Sequence, residues 1–326
     1  MSESKEIGKR LFSIATRVLV GGLVLYLVVS LVQWQNVLVA YKSADIGFII
    51  SSALLLLVNV GIRTFKWHTM LCSVKDKPTY AEAFGSVMLG ISLGSFTPGE
   101  IGDFAGRALH ITDAKRSHLI GLTLLDKAQI FMVTSCAGIV SIGYLLVSNI
   151  FIFTFGSAII VFLSGIFIMR LEIVAALGHR LNTSFFKKPW LTGVLDGFSL
   201  LKPRQLFTTV LCTLAFQGIL IVQMFFLMNA FAKINFTDAF IGTSAMMFLK
   251  SLLPISIGDL GIREAGSIYF FSIYGISQAA ALNASLMLFL INILVPSILG
   301  TFFLRHEQFS AIKFMKFWKN KKTRIK

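Results

Sequence analysis

Two stretches of the chain share an unusual set of charged and turn-forming residues. Residues 81–107 read AEAFGSVMLGISLGSFTPGEIGDFAGR, and residues 237–263 read TDAFIGTSAMMFLKSLLPISIGDLGIR. Both contain the pattern Pro-x-x-x-Gly-Asp-x-x-x-Arg. On a helix, an acid and a base four residues apart lie on one face within reach of each other. Each copy therefore predicts an Asp–Arg pair, whose arginine offers a planar donor fork that suits a phosphate.

Further charges lie close to both patterns, and together they suggest a binding site. Substrate binding is predicted for Arg107, Arg263, Glu100, Asp103, Asp259 and Glu264, a gating role for Asp126 and Lys127, and structural turns for Pro98, Gly102, Pro254 and Gly258. In this interpretation an arriving phosphate exchanges partners with the ion pairs. The plainer alternative is that the pairs only lock the surrounding segments together, with each Asp also serving as a helix N-cap.

The composition places these charges in a membrane protein. The 326 residues are 56% hydrophobic and 14% charged, whereas soluble domains carry about 25% charged residues. A spanning helix needs roughly 20 mostly apolar residues. The predicted spans are 11–33, 46–65, 119–147, 150–169, 206–231 and 278–304. The chain is therefore predicted to be an all-α, polytopic helical bundle.

The basic residues predict the orientation of this bundle. Of the 30 Lys and Arg residues, 26 fall in five groups. These groups occupy 5–17, 63–77, 107–127, 170–204 and the tail 305–326. Lys and Arg concentrate on the cytoplasmic side of membrane proteins, so both termini are expected in the cytoplasm. The net charge of +15 is thus assigned to topology, and no nucleic-acid partner is expected.

The orientation in turn predicts two re-entrant hairpins. The segment 81–117 begins and ends inside, and 237–277 begins and ends outside. An alternative divides 237–304 into three shorter spans and removes the second hairpin. With the hairpins, residues 1–147 and 148–304 form two copies of one layout in inverted orientation. Inverted repeats with broken helices are typical of secondary transporters.

At this point the sequence resembles the flippase-like family, also called the lysylphosphatidylglycerol synthase transmembrane-domain family. The resemblance is carried by Phe96–Asp103 with Arg107 and by the stretch Leu253–Ala265. The family's acid–base pair looks like Asp126-Lys127, but the acid often seen just after it is missing, because Ala128, Gln129 and Ile130 follow.

The resemblance implies lipid translocation. The membrane half of a relative, the multiple peptide resistance factor, moves aminoacylated phosphatidylglycerol between leaflets, and other relatives are linked to polyprenyl-phosphate sugars. The soluble aminoacyltransferase domain of the fused relatives has no counterpart in the tail 305–326. Lysyl transfer by this chain alone is therefore not expected.

The remaining motifs give no support to catalysis. No Gly-rich phosphate loop occurs, and Cys72, Cys136 and Cys212 are isolated, so no catalytic residue, cofactor or metal is predicted. The expected function is a secondary lipid transporter of the cell membrane, for a phospholipid or a polyprenyl-phosphate-linked sugar. The alternative is a membrane-embedded enzyme or accessory subunit of glycolipid or cell-envelope assembly. Membrane lipids are the expected partners, and homo-oligomerisation is left open.

Overall fold

The computed structural model describes residues 41–146, 189–253 and 260–303, together with a few isolated residues between 35 and 183. All regular secondary structure in these ranges is helical. The predicted spans 11–33 and 150–169 and the tail 305–326 lie outside the described residues, as do Pro254, Gly258 and Asp259.

Ten α-helices are assigned within the described ranges. They are α1 (Ile46–Leu71), α2 (Tyr80–Ser95), α3 (Ile101–His110), α4 (Arg116–Leu146), α5 (Pro189–Ser199), α6 (Pro203–Phe231), α7 (Phe236–Leu252), α8 (Ile262–Ser272), α9 (Gln278–Phe289) and α10 (Val295–Thr301). A π-helical turn, Leu290–Leu294, joins α9 to α10 without a break.

Four of the described segments are long and apolar enough to cross a membrane. They are α1, α4, α6 and the continuous segment from α9 to α10. The predicted spans 46–65, 119–147, 206–231 and 278–304 coincide with these helices within a few residues, except at the end of α1. That helix continues to Leu71, because Trp67, Met70 and Leu71 are buried in a core with α2 and α4. The protein is an all-α membrane protein.

Helices α2 and α3 form an antiparallel pair around the first sequence pattern. A Cβ on Gly106 would lie 2.7 Å from Gly90 Cα, and a Cβ on Gly102 would lie 2.0 Å from the Leu93 carbonyl oxygen. The two backbones can approach this closely only because glycine has no side chain. Gly102 therefore serves helix packing, whereas the reversal itself is made by the short 3₁₀ turn Pro98–Glu100, in which Gly99 has φ 60°.

Helices α7 and α8 form a second antiparallel pair. A Cβ on Gly242 would lie 2.7 Å from the Phe271 ring, and one on Gly266 would contact Met246 at 3.4 Å. Helix α7 begins 156 residues after α2, which is the offset between the two sequence patterns. The two patterns thus lie beside helix pairs of the same kind.

Candidate functional site

Six charged side chains near the α2–α3 helix pair form one continuous chain of ion pairs. In order, they are Lys66, Asp126, Arg107, Asp103, Lys127 and Glu100. They come from α1, α3, α4 and the turn that precedes α3. Three are basic and three acidic, so the chain of ion pairs is neutral as a whole.

Arg107 lies at the centre of this chain and is only 2% exposed. Its Nε donates to Asp103 Oδ1 at 2.7 Å and its Nη2 to Asp103 Oδ2 at 3.1 Å. On the other side, its Nη1 lies 3.0 Å from Asp126 Oδ2. The guanidinium also lies 4.8 Å from the centre of the Trp67 ring. The predicted i, i+4 pair is present on α3, and two further helices contact it: α4 through Asp126 and α1 through Trp67.

Lys66 ends the chain of ion pairs on one side, and Lys127 links Asp103 to Glu100, which ends it on the other. Lys66 Nζ lies 2.5 Å from Asp126 Oδ1, and Lys127 Nζ lies 2.7 Å from Asp103 Oδ2 and also contacts Glu100. Lys66 belongs to the basic group 63–77, but it is 4% exposed inside α1 and is therefore not a loop residue. The predicted gate residues Asp126 and Lys127 belong to the same chain of ion pairs, well inside α4.

A glycine of α2 makes room for the Asp103–Arg107 pair. A Cβ on Gly90 would lie 2.1 Å from Asp103 Oδ1 and 2.9 Å from Arg107 Cγ. The Gly90→Ala variant is therefore expected to displace the carboxylate and to lower the free energy of unfolding by about 1–3 kcal/mol, as overpacking of a core does. Thermal melting in detergent measures the effect.

Gly61→Ala is the matched control for this prediction. Gly61 is also inside a helix, and a Cβ there would meet nothing within 4 Å. Alanine should be neutral or stabilise α1 by up to about 1 kcal/mol through helix propensity. Equal melting temperatures for the two alanine variants would show that Gly90 makes no room for the ion pair.

The second arginine has a different set of partners. Arg263 Nη2 lies 2.5 Å from Glu264 Oε1, and Arg263 Nε donates to Ser285 Oγ at 3.2 Å. Glu264 is completely buried, and its Oε2 accepts from the Gly261 N–H at 2.6 Å. The carboxylate thus holds both the arginine and the start of α8. The predicted Asp259–Arg263 pair lies partly outside the described residues.

A cavity of about 140 Å³ lies between the two halves of the described structure. Its charged lining residues are Arg63, Glu100, Lys127, Lys250 and Arg263. The cavity thus joins one end of the neutral chain of ion pairs to the Arg263–Glu264 pair. With four basic side chains and one acidic one, this wall favours an anion.

Sequence reasoning missed several residues of this wall. Arg63 falls in the basic group 63–77 that predicts topology, and the sequence predicts no role for Lys250, although both residues line the cavity. Three amides of the lining, Asn59, Gln217 and Asn292, also went unnoticed. A signal was available for Arg63 and Lys66, which are three residues apart and so share a helix face. To predict that this face lies inside the protein, one had to know that α1 continues to Leu71.

Among the described residues, no group of three or more His, Cys, Asp or Glu side chains could hold a metal ion. The site in the described part of the chain is thus built from Lys, Arg and carboxylates in ion pairs, with amides and apolar side chains around the cavity.

Comparisons with known proteins agree with this architecture. The family model described as the lysylphosphatidylglycerol synthase TM region matches residues 14–300. A search of curated proteins found no significant match. Because the family model covers most of the chain, including both helix pairs and the four described membrane helices, the chain belongs to the lysylphosphatidylglycerol synthase TM region family.

Proposed function

We propose that this protein is a secondary transporter that moves a phosphate-containing lipid between the two leaflets of the cell membrane. The observation that carries the proposal is a cavity whose described lining has four basic side chains and one acidic one: Arg63, Lys127, Lys250 and Arg263 against Glu100. A headgroup phosphate is the anion that a membrane supplies in quantity. Membership of a family named for a lipid synthase's membrane region supports a role with lipids.

The cavity also suits the amphipathic character of a lipid. One buried water needs about 10–15 Å³ by this measure, so a volume of about 140 Å³ holds a hydrated phosphate group. Apolar residues such as Leu56, Ile91, Met247 and Leu288 line the same space. A polar headgroup can thus pass here while its acyl chains stay in the bilayer.

The proposed topology has two re-entrant hairpins and cytoplasmic termini. Helix α3 has 10 residues and α8 has 11, which correspond to about 15–17 Å of helix. Both are too short to cross a hydrocarbon core of about 30 Å. Non-helical backbone at membrane depth needs protein or a wet cavity around it, and the first turn meets this need because Glu100 lines the cavity.

The predicted substrate residues take two roles in this proposal. Arg263 reaches the cavity. It therefore binds the phosphate by releasing its present partner, the Glu264 carboxylate. Arg107 is enclosed by Asp103 and Asp126. Its role in this proposal is therefore to hold the chain of ion pairs together and so to fix the position of Lys127. The Lys127–Glu100 contact is the proposed gate, and it opens when phosphate replaces the Glu100 carboxylate.

A flip assay in liposomes tests the proposal. The purified protein is reconstituted with a fluorescent phosphatidylglycerol analogue, and a membrane-impermeant quencher reports how fast the inner-leaflet probe reaches the outer leaflet. Arg263→Ala and Arg107→Ala are each expected to reduce the rate by about tenfold or more, which corresponds to about 1.4 kcal/mol of lost stabilisation. The folded fraction of each variant is measured in the same liposomes.

Two further variants separate transport from folding. Arg204→Ala changes an exposed arginine at the start of α6 and should leave the rate unchanged. Ser251→Trp fills the cavity without removing a charge and should block flipping. Wild-type rates in both Arg107→Ala and Arg263→Ala would exclude the roles assigned to them. The absence of flipping by the wild type for phospholipid and polyprenyl-phosphate probes alike would overturn the transporter function.

A further inference from the structure

One cationic side chain of the cavity wall stands apart from the ion pairs. Arg63, on α1, lines the main cavity and two smaller ones beside it. Its guanidinium lies 5.7 Å from the centre of the Phe216 ring. Among the described residues, no carboxylate lies within 4.0 Å of it. Stacking on an aromatic face leaves the N–H groups at the guanidinium edge able to donate to another partner.

The charge around Arg63 is not balanced by its neighbours on the described wall. The chain from Lys66 to Glu100 is neutral as a whole, and Arg263 is paired with Glu264. An isolated cation inside a membrane is costly, by about 2.5–3.5 kcal/mol on insertion scales. A bound anion would offset this cost directly.

A neutral donor lies on the same wall. Gln217 follows Phe216 on α6 and is 5% exposed. Its Oε1 accepts from Thr134 Oγ1 at 3.3 Å, whereas its buried Nε2 has no hydrogen-bond partner among the described residues. Buried donors are nearly always satisfied. An acceptor oxygen in the cavity would satisfy this one.

Lys250 contributes from α7, a different helix that lines the same cavity. We infer that Arg63, Gln217 and Lys250 form a phosphate wall that selects headgroups with a net negative charge over those that also carry an ammonium group. This inference rests on the proposed function, because it names the class of lipid that the cavity takes.

The selectivity follows from the balance of charge. A zwitterionic or aminoacylated headgroup would bring its cation into a cavity with four basic side chains, where Glu100 is the one carboxylate of the described lining. Glu100 is already in contact with Lys127. The ammonium group would therefore lose its hydration and meet repulsion, while a headgroup whose only charge is on phosphate would not.

Binding in detergent tests the inference without requiring transport. The affinity of the full chain is measured for dioctanoyl phosphatidylglycerol, dioctanoyl phosphatidylcholine and inorganic phosphate. The wild type should bind the glycerol lipid about tenfold more tightly than the choline lipid, a difference of about 1.4 kcal/mol. Arg63→Gln and Lys250→Gln should each remove most of this preference, and Arg204→Gln should retain it.

Two milder variants keep the test decisive if a charge deletion unfolds the protein. Gln217→Glu has nearly the same shape and places a negative charge on the wall. It should therefore weaken the binding of phosphatidylglycerol more than the binding of phosphatidylcholine. Arg63→Lys keeps the positive charge but loses the planar set of guanidinium donors. It should therefore retain part of the preference for phosphatidylglycerol over phosphatidylcholine. An unchanged preference in Gln217→Glu and in Arg63→Gln or Arg63→Lys would overturn the phosphate wall.

The remaining outcomes separate the sources of the anion and the two proposals. If inorganic phosphate binds in an Arg63-dependent way and the lipids do not, the wall serves a free anion and the lipid selectivity is wrong. If the lipid preference depends on Arg63 but the wild type flips no lipid, the phosphate wall is supported and the transporter function fails. If the wild type flips lipids with equal binding of both headgroups, the transporter function stands and the phosphate wall fails.

Discussion

Asp126→Asn is expected to lower the free energy of unfolding by about 3–5 kcal/mol, the usual cost of removing one partner from a buried ion pair. The Asp126 carboxylate joins Lys66 at 2.5 Å to Arg107 at 3.0 Å, and the residue is 5% exposed. Asparagine has nearly the same size, so the loss would reflect charge rather than packing. Thermal or denaturant unfolding in detergent measures it.

A second substitution shows whether the stranded lysine is the cause. Lys66→Met in the Asp126→Asn background removes the cation that has lost its carboxylate, while Arg107 still has Asp103. The double variant is therefore expected to be more stable than the single one. Asp76→Asn, at an exposed position, should melt like the wild type. A double variant less stable than Asp126→Asn would contradict the electrostatic explanation.

Glu264→Gln is expected to have an effect of similar size in the other half, again about 3–5 kcal/mol. Glu264 is completely buried, and its carboxylate binds Arg263 and accepts from the Gly261 backbone N–H. The glutamine variant would weaken both contacts, at the arginine and at the start of α8. The midpoint of unfolding in detergent should fall accordingly.

A matched variant at this position keeps the negative charge and shortens the side chain. Glu264→Asp retains a carboxylate but shortens the side chain by one methylene, so it should be less destabilising than Glu264→Gln. If the two variants melt at the same temperature, the geometry of the Glu264 side chain matters more than its charge. If Glu264→Gln melts like the wild type, the pair makes no net contribution to stability.

The two sequence patterns lie in similar helix pairs, and each of their arginines is bound by a buried carboxylate. Both lie beside antiparallel helix pairs whose close contacts involve glycine. Arg107 is held by an acid four residues earlier, as the spacing predicts, and by Asp126 from another helix. Arg263 is held by the acid that follows it directly. Each arginine therefore has a carboxylate partner that lies outside the shared pattern: Asp126 for Arg107 and Glu264 for Arg263.

The first hairpin shows why some residues could be predicted and others could not. Pro98 and Gly99 break the helix locally, so the turn could be expected from the sequence. The role of Gly90 could not, because its importance comes from Asp103 on the opposite helix. Similarly, Lys66 is basic at the end of an apolar run, and its local context resembles that of a cytoplasmic topology marker.

By itself, the sequence determined the class of the protein, its family resemblance and the Asp103–Arg107 pair. Apolar runs and four-residue spacings are local properties that any helix expresses. Only the tertiary structure decided that Lys66 meets Asp126, and that Arg63 and Lys250 face one cavity. Those contacts between helices depend on how closely the helices approach each other. The approach is set by side-chain packing and by the glycines at the helix interfaces. The sequence predicted phosphate binding by two arginines, Arg107 and Arg263. The structure places four basic side chains on the wall of one cavity, namely Arg63, Lys127, Lys250 and Arg263.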